Sequence, residues 1–213
     1  MSGPVRVGVV ADTHVGEFLD ALPPGVGRAL EGCTLILHAG DICVPWVLDE
    51  LGEIAPVVAV RGDHDRLGDL DLPRQTVVNV AGRTIGLTHG RRFIGLDVAV
   101  ITAHVLAGRK LSWRANLHPS LIRRVGPVDC LVYGHWHEPV VEHLGDTLIF
   151  SPGAVCPWGN LEGGRPARPG PKGVGDRAVR RYRHQLGRAA MTPSVGILEV
   201  SAEHIAARVV AIG

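Results

Sequence analysis

The stretch Val5-Arg6-Val7-Gly8-Val9-Val10-Ala11-Asp12-Thr13-His14 decides how the rest of the chain is read. Val5 to Ala11 is a nearly unbroken apolar run, the pattern of a buried strand, and it stops on a carboxylate and an imidazole two residues apart. In an extended turn both can face one ion. A single Asp-x-His is common, but here the arrangement recurs. Apolar runs at Thr34 to Leu37, Val57 to Val60, Thr84 to Leu87 and Cys130 to Tyr133 lead into Gly40-Asp41, Gly62-Asp63-His64-Asp65, His89-Gly90 and Gly134-His135-Trp136-His137. If those strands lie side by side, Asp12, His14, Asp41, Asp63, His89, His135 and His137 converge at one edge of a sheet, where open α/β folds place their ligands. That set makes a two-metal centre.

Between the runs, the pattern reads strand, helix ending near Leu30, strand, helix from Pro45 to Leu51, strand, which argues for parallel pairing in the first half. Ala81-Gly82-Arg83 marks a hairpin between Gln75–Val80 and Thr84–Thr88. Helical spacing returns at Leu96–Leu106 and Asn116–Val125, the latter with Pro119 near its first turn, where proline is tolerated. Strands are expected again at 130–133, 140–144, 147–150, 195–200 and 205–212. The sum is an α/β protein with antiparallel pairing in its second half.

With 213 residues, 46% of them apolar, the chain can bury one sizeable core, so a single domain over 1–213 is expected. No apolar stretch reaches the roughly 18 residues of a membrane span, and no signal-peptide pattern opens the chain. Both point to a cytoplasmic protein without a membrane partner. The four cysteines show no Cys-x-x-Cys spacing and are expected to be reduced and structural. A phosphate-cradling Gly-x4-Gly-Lys-Ser/Thr is absent, and His137-Glu138-Pro139 fails as a zinc-protease helix because Pro139 opposes it. Net charge is +1 but uneven: Arg165 to Arg188 holds eight basic residues against Asp176 alone. This Gly/Pro/Arg-rich insertion, at about 157–193, is expected to be solvated, or ordered by a subunit contact in a homo-oligomer. It could also bind a polyphosphate backbone, but without interleaved aromatics nucleic acid is the weaker partner and a nuclease the weaker function.

The pieces Val9-Val10-Ala11-Asp12-Thr13-His14, His38-Ala39-Gly40-Asp41, Gly62-Asp63-His64-Asp65, Leu87-Thr88-His89-Gly90, Gly134-His135-Trp136-His137 and Ser151-Pro152-Gly153 resemble the calcineurin-like metallophosphoesterases, especially the small bacterial and archaeal phosphodiesterases. The resemblance runs from about residue 5 to 155 and resumes at Val195. It implies a four-layer α/β/β/α sandwich with two mixed sheets and a dinuclear site at the carboxyl ends of the strands. By position, Asp12, His14 and His137 would hold one metal, Asp63, His89 and His135 the other, and Asp41 would bridge. It further implies that His64 donates a proton to the leaving group, oriented by Asp65, and that a phosphate ester is hydrolysed by in-line attack of a hydroxide shared by the cations. The same branch includes a retromer subunit used for protein contacts, so a non-catalytic scaffold is the alternative.

Mixed imidazole and carboxylate donors suit Mn, Fe, Co, Ni or Zn, and two such ions can generate the nucleophile at neutral pH. The expected substrate is a small phosphorylated molecule. In one departure, Asp63 stands where the family has asparagine. Its extra charge is expected to tighten metal binding, weaken the attraction of anionic phosphate and make bound water less acidic, unless it is a tolerated isostere. Ser151 replaces another common asparagine without a ligand role.

Overall fold

The computed structural model describes residues 3–67, 70–91, 99, 102–103, 106, 116–157 and 191–213. The basic segment from Arg165 to Arg188 lies outside them, as does most of the helix expected at 96–106, although Ala99, Thr102, Ala103 and Leu106 are helical.

Strands β1 (Val5–Val10), β2 (Leu35–His38) and β3 (Val57–Ala59) pair in parallel, and β9 (Ser194–Val200) and β10 (Ile205–Ala211) extend the sheet antiparallel, in the order β10-β9-β1-β2-β3. The second sheet runs β4-β5-β6-β8-β7, from β4 (Gln75–Val80), β5 (Arg83–Thr88), β6 (Cys130–Tyr133), β7 (Pro139–Leu144) and β8 (Thr147–Pro152). Here β5, β6 and β8 are mutually parallel and the edge strands antiparallel, so both sheets are mixed.

Alternation along each strand sorts the side chains into three cores. Val7, Val9, Leu37, Leu87, Cys130, Val132, Leu148 and Phe150 point between the sheets and join both into one apolar layer. Val10, Ile36 and Ile197 point the other way, onto Val26 and Leu30 of α1 (Pro24–Leu30) and Val47 and Leu51 of α2 (Trp46–Gly52). On the far side Leu131, Tyr133 and Ile149 pack against Leu117 and Leu121 of the helix Leu117–Val125, here α3. Helices cover both outer faces of two stacked sheets, giving the expected α/β/β/α layering. Each fully buried aliphatic side chain contributes about 1.5–3 kcal/mol, and the sheets therefore form a rigid base for their loops. Pro119 sits in the first turn of α3, and Gly126, with φ +99°, ends it by donating its N–H to the Ile122 carbonyl at 2.8 Å. Among the described residues no helix is long and apolar enough to cross a membrane.

Candidate metal centre

The parallel strands β1, β2, β3, β5 and β6 all end at one edge, and every expected ligand lies one to four residues past such an end. Asp12 and His14 follow β1, Asp41 follows β2, Asp63 follows β3, His89 follows β5, and His135 and His137 follow β6. The loops lock across the inter-sheet seam. Asp12 N–H donates to the Gly40 carbonyl and His14 N–H to the Asp41 carbonyl, both at 3.0 Å. The His135 N–H reaches the Asp12 carboxylate at 2.9 Å and so ties the second sheet to the first.

Backbone strain concentrates here. Among the described residues seven non-glycine positions have positive φ: Asp12, His14, Asp41, Cys43, Ala81, His135 and His137. Ala81 belongs to the β4–β5 turn; five of the others are expected ligands and Cys43 adjoins one. Left-handed backbone costs an L-residue roughly 1–2 kcal/mol, and the gathering of six of the seven in one loop cluster marks a place shaped for function rather than stability. Two glycines permit the crowding. A Cβ on Gly62 would lie 2.2 Å from both the Asp41 nitrogen and its Oδ1, and one on Gly134 would lie 2.8 Å from Asp12 Oδ2.

Asp12, His14 and His137 each offer a ligand atom within 4.8 Å of the others, and so do Asp63, His89 and His135. Asp41 lies between the groups: its Oδ2 is 3.6 Å from His14 Nε2 and 3.3 Å from His89 Nε2. Those two ring nitrogens are buried and make no hydrogen bond of acceptable geometry. Leaving a buried polar atom so costs about 1–3 kcal/mol, and a cation between nitrogen and carboxylate removes that cost. The residues therefore fit a divalent metal. His89 Nδ1–H donates to the Ala39 carbonyl at 2.8 Å, which aims Nε2 at Asp41.

Titration behaviour agrees with the geometry. Burial, with the Asp41 charge adding to it, holds the Asp12 carboxyl well above the usual range. Burial opposes the Asp41 charge as well, yet His89 and His14 beside it hold its carboxyl well below that range. His135 is pulled down to about 3 and His137 well below its ordinary value, by burial and by their imidazole neighbours. Both are neutral near pH 7, the form that ligates. Burial pulls His89 down too, but the Asp41 and Asp12 charges and the bond to Ala39 carry it up to about 10.

Two residues that the sequence did not single out belong to the site. Arg91 donates to Asp63 Oδ1, while Asp63 Oδ2 lies 3.5 Å from His135 Nδ1. Glu17 Oε2 lies 2.6 Å from His64 Nδ1. Asp65 makes other contacts than the one expected of it: its carboxylate accepts the backbone N–H groups of Asp41, Ile42, Cys43 and Gly62 at 2.7–3.1 Å. It holds the Asp41 loop in shape, and Glu17 is the carboxylate at His64. His38 is buried and neutral, lowered to about 4 by burial; its Nδ1 accepts the Gly40 N–H at 3.2 Å and its Nε2–H faces Thr13 Oγ1 at 3.3 Å. Trp136 is buried in the α3 core. His118 is a buried helix residue 3.0 Å from the Tyr133 hydroxyl and 2.8 Å from Glu142.

The calcineurin-like phosphoesterase superfamily domain matches residues 5–166. The chain belongs to that superfamily. A probable metallophosphoesterase of Methanocaldococcus jannaschii is 32% identical over 154 residues, covering 72% of this chain and 70% of the relative. A phosphodiesterase of the same organism is 24% identical over 161 residues, covering 71% of this chain and 85% of its own. In fold the chain is similar to wild-type Vps29 of Entamoeba histolytica, solved in complex with zinc, with a TM-score of 0.61 at 20% identity over 98% of this chain and 100% of that one. Superfamily members use divalent metals, and the His/Asp groups at this strand edge are the candidates for holding them.

Proposed function

We propose that the chain is a dinuclear metal-dependent phosphodiesterase, with Asp12, His14 and His137 holding one cation, Asp63, His89 and His135 the other, and Asp41 shared. The observation that carries this reading is Asp41 Oδ2, which faces a hydrogen-bond-free ring nitrogen from each ligand group, at 3.6 and 3.3 Å. The donor set contains no thiolate and suits Mn, Fe, Co, Ni or Zn. When bound, two such cations supply a water nucleophile at neutral pH and neutralise the oxygens on phosphorus.

The chain's own residues account for the remaining steps. Arg91 places a guanidinium beside the Asp63 end and offers positive charge to an anionic diester. The His64 N–H donates to Asp41 Oδ1 at 2.8 Å, which seats a half-exposed imidazole at the same edge, where it delivers a proton to the departing oxygen. The scaffold alternative requires none of these ligands, and a full set, five of them on left-handed backbone, supports the enzyme.

Asp41→Asn tests the reading. Removing the shared carboxylate should release metal and abolish turnover of bis-p-nitrophenyl phosphate together, by at least about 10²-fold. A variant that keeps two metals and wild-type turnover would refute it.

A further inference from the structure

Glu17 lies outside every ligand group just assigned, yet it touches two of the site's imidazoles. The chain turns sharply after His14: the Phe18 N–H returns to the His14 carbonyl at 2.9 Å and Gly16 takes φ +85°, so Glu17 comes back over the site. Its Oε2 then lies 2.6 Å from His64 Nδ1 and 3.6 Å from His14 Nδ1. An ionised carboxylate only accepts hydrogen bonds, so His64 Nδ1 must carry the proton of the short contact. The same ring packs edge-on against His14, with centroids 4.7 Å apart, and its main-chain N–H is fixed to Asp41 Oδ1. Ring position, rotamer and the use of Nδ1 are thereby all set, and Nε2 is the nitrogen left for a ligand. Asp65 cannot share this task, since its oxygens are occupied by four backbone N–H groups.

We infer that Glu17 is a positioning residue, whose carboxylate holds His64 with Nδ1–H inward so that Nε2–H faces the leaving-group oxygen. This rests on the phosphodiesterase reading above. In the step it serves, a water that has given one proton to solvent bonds through its oxygen to phosphorus, its other hydrogen staying on the phosphate, while the bond to the leaving oxygen breaks with its electron pair. That oxygen takes the proton from His64 Nε2, and the imidazole is left neutral. A carboxylate behind the far nitrogen prevents the ring from rotating and fixes which nitrogen faces the leaving oxygen, as the buried carboxylate does in hydrolase triads.

The experiment compares Glu17→Ala, Glu17→Gln, His64→Ala and the Glu17→Ala/His64→Ala double variant, all loaded with diamagnetic zinc, on aryl phosphodiesters of graded leaving-group basicity. Metal content is measured in parallel, and nitrogen-15 NMR reports the imidazole tautomers. Glu17→Ala should keep both metals and a KM within about twofold of wild type. Its kcat should fall by about 10²-fold on the most basic leaving group and far less on p-nitrophenolate. Glu17→Gln, which keeps an acceptor oxygen, should recover part of the loss, and the double variant should be no slower than His64→Ala. The His64 Nδ1–H signal should be present in wild type and lost in Glu17→Ala. Equal losses across leaving groups, additive losses in the double variant, or departure of metal with Glu17 would overturn the positioning role. Wild-type protein that holds two metals and cleaves no diester would refute the phosphodiesterase reading and Glu17's catalytic role with it. The tautomer signal would still decide the Glu17–His64 contact by itself.

Discussion

Replacing Arg91 with methionine removes a guanidinium from the metal edge while keeping most of the aliphatic stem. Arg91 holds one oxygen of Asp63, and the other faces His135, so the carboxylate is divided between an internal cation and whatever metal enters. The two side chains are 24% and 23% exposed, which makes the pair's contribution about 1 kcal/mol rather than the several expected of a fully buried one. Freed from it, Asp63 should bind the second cation more tightly by about 1 kcal/mol, roughly fivefold in Kd. Substrate should respond in the opposite sense. The guanidinium offsets the charge by which Asp63 differs from an amide, so the weak phosphate attraction expected from sequence should emerge only in the variant, as a KM raised by about fivefold. Metal affinity is read by calorimetric titration, and KM for bis-p-nitrophenyl phosphate is read at saturating metal. The double variant Asp63→Asn/Arg91→Met should bind the second metal more tightly than Asp63→Asn alone, because the single change leaves a guanidinium beside a cation with no carboxylate between them. An Arg91→Met protein with unchanged or weaker second-site affinity, or an unchanged KM, would refute the charge-sharing argument.

Gly62→Ala should lose metal and turnover together, because its Cβ would lie 2.2 Å from Asp41, whereas Gly52→Ala, which meets nothing within 4 Å, should change neither; metal analysis of both variants checks this. Metal uptake at neutral pH should release about one proton from His89, whose imidazole the Asp41 charge carries up to about 10 against the pull of burial. Apparent affinity should then rise with pH and level off near that value; calorimetry in buffers of different ionisation enthalpy that finds no proton release contradicts it. Since each ligand group draws on both sheets, metal at 100 times its Kd should add about 2.7 kcal/mol, roughly 5–10 °C in Tm for a chain of this size, and a chelator should reverse it. A melting temperature indifferent to chelator would contradict that placement of the ligands.

The strand framework was legible because buried runs such as Val5–Val10 and Cys130–Tyr133 are apolar on both faces and end abruptly at Gly, Asp or His. The gathering of the candidate ligands at one edge was legible for the same reason, since each lies one to four residues past a strand end. Arg91 and Glu17 were not, and the cause is physical. Each acts through a partner distant in sequence, Asp63 in one case and His64 in the other, and nothing local distinguishes an arginine after His89-Gly90 or a glutamate three residues past His14 from an ordinary surface charge. Asp65 misled for the converse reason. Its place beside His64 suggested a side-chain pair, but the short 3-10 turn at His64–Leu67 sends its carboxylate back to four backbone N–H groups. Adjacency in a tight turn is poor evidence for side-chain contact.

Site rigidity and site strain have one origin in this fold. Five expected ligands adopt left-handed backbone, at roughly 1–2 kcal/mol each. Their sum is comparable to the whole stability of a typical domain, about 5–15 kcal/mol. Such a cluster persists only where its surroundings over-determine it. The inter-sheet core fixes both sets of strand ends, and backbone donors then bind the carboxylates themselves: His135 to Asp12, His64 to Asp41, and four N–H groups to Asp65. These bonds hold the carboxylates in place whether or not a cation is bound. A cation entering the site therefore meets donors already aimed and loses little of its binding free energy to ordering them. What it must overcome is electrostatic: the His89 proton and the hold of Arg91 on Asp63 in one ligand group, and the raised proton affinity of Asp12 in the other. The guanidinium bears on the Asp63 group, so Arg91→Met should strengthen the cation there and leave the affinity at Asp12, His14 and His137 unchanged.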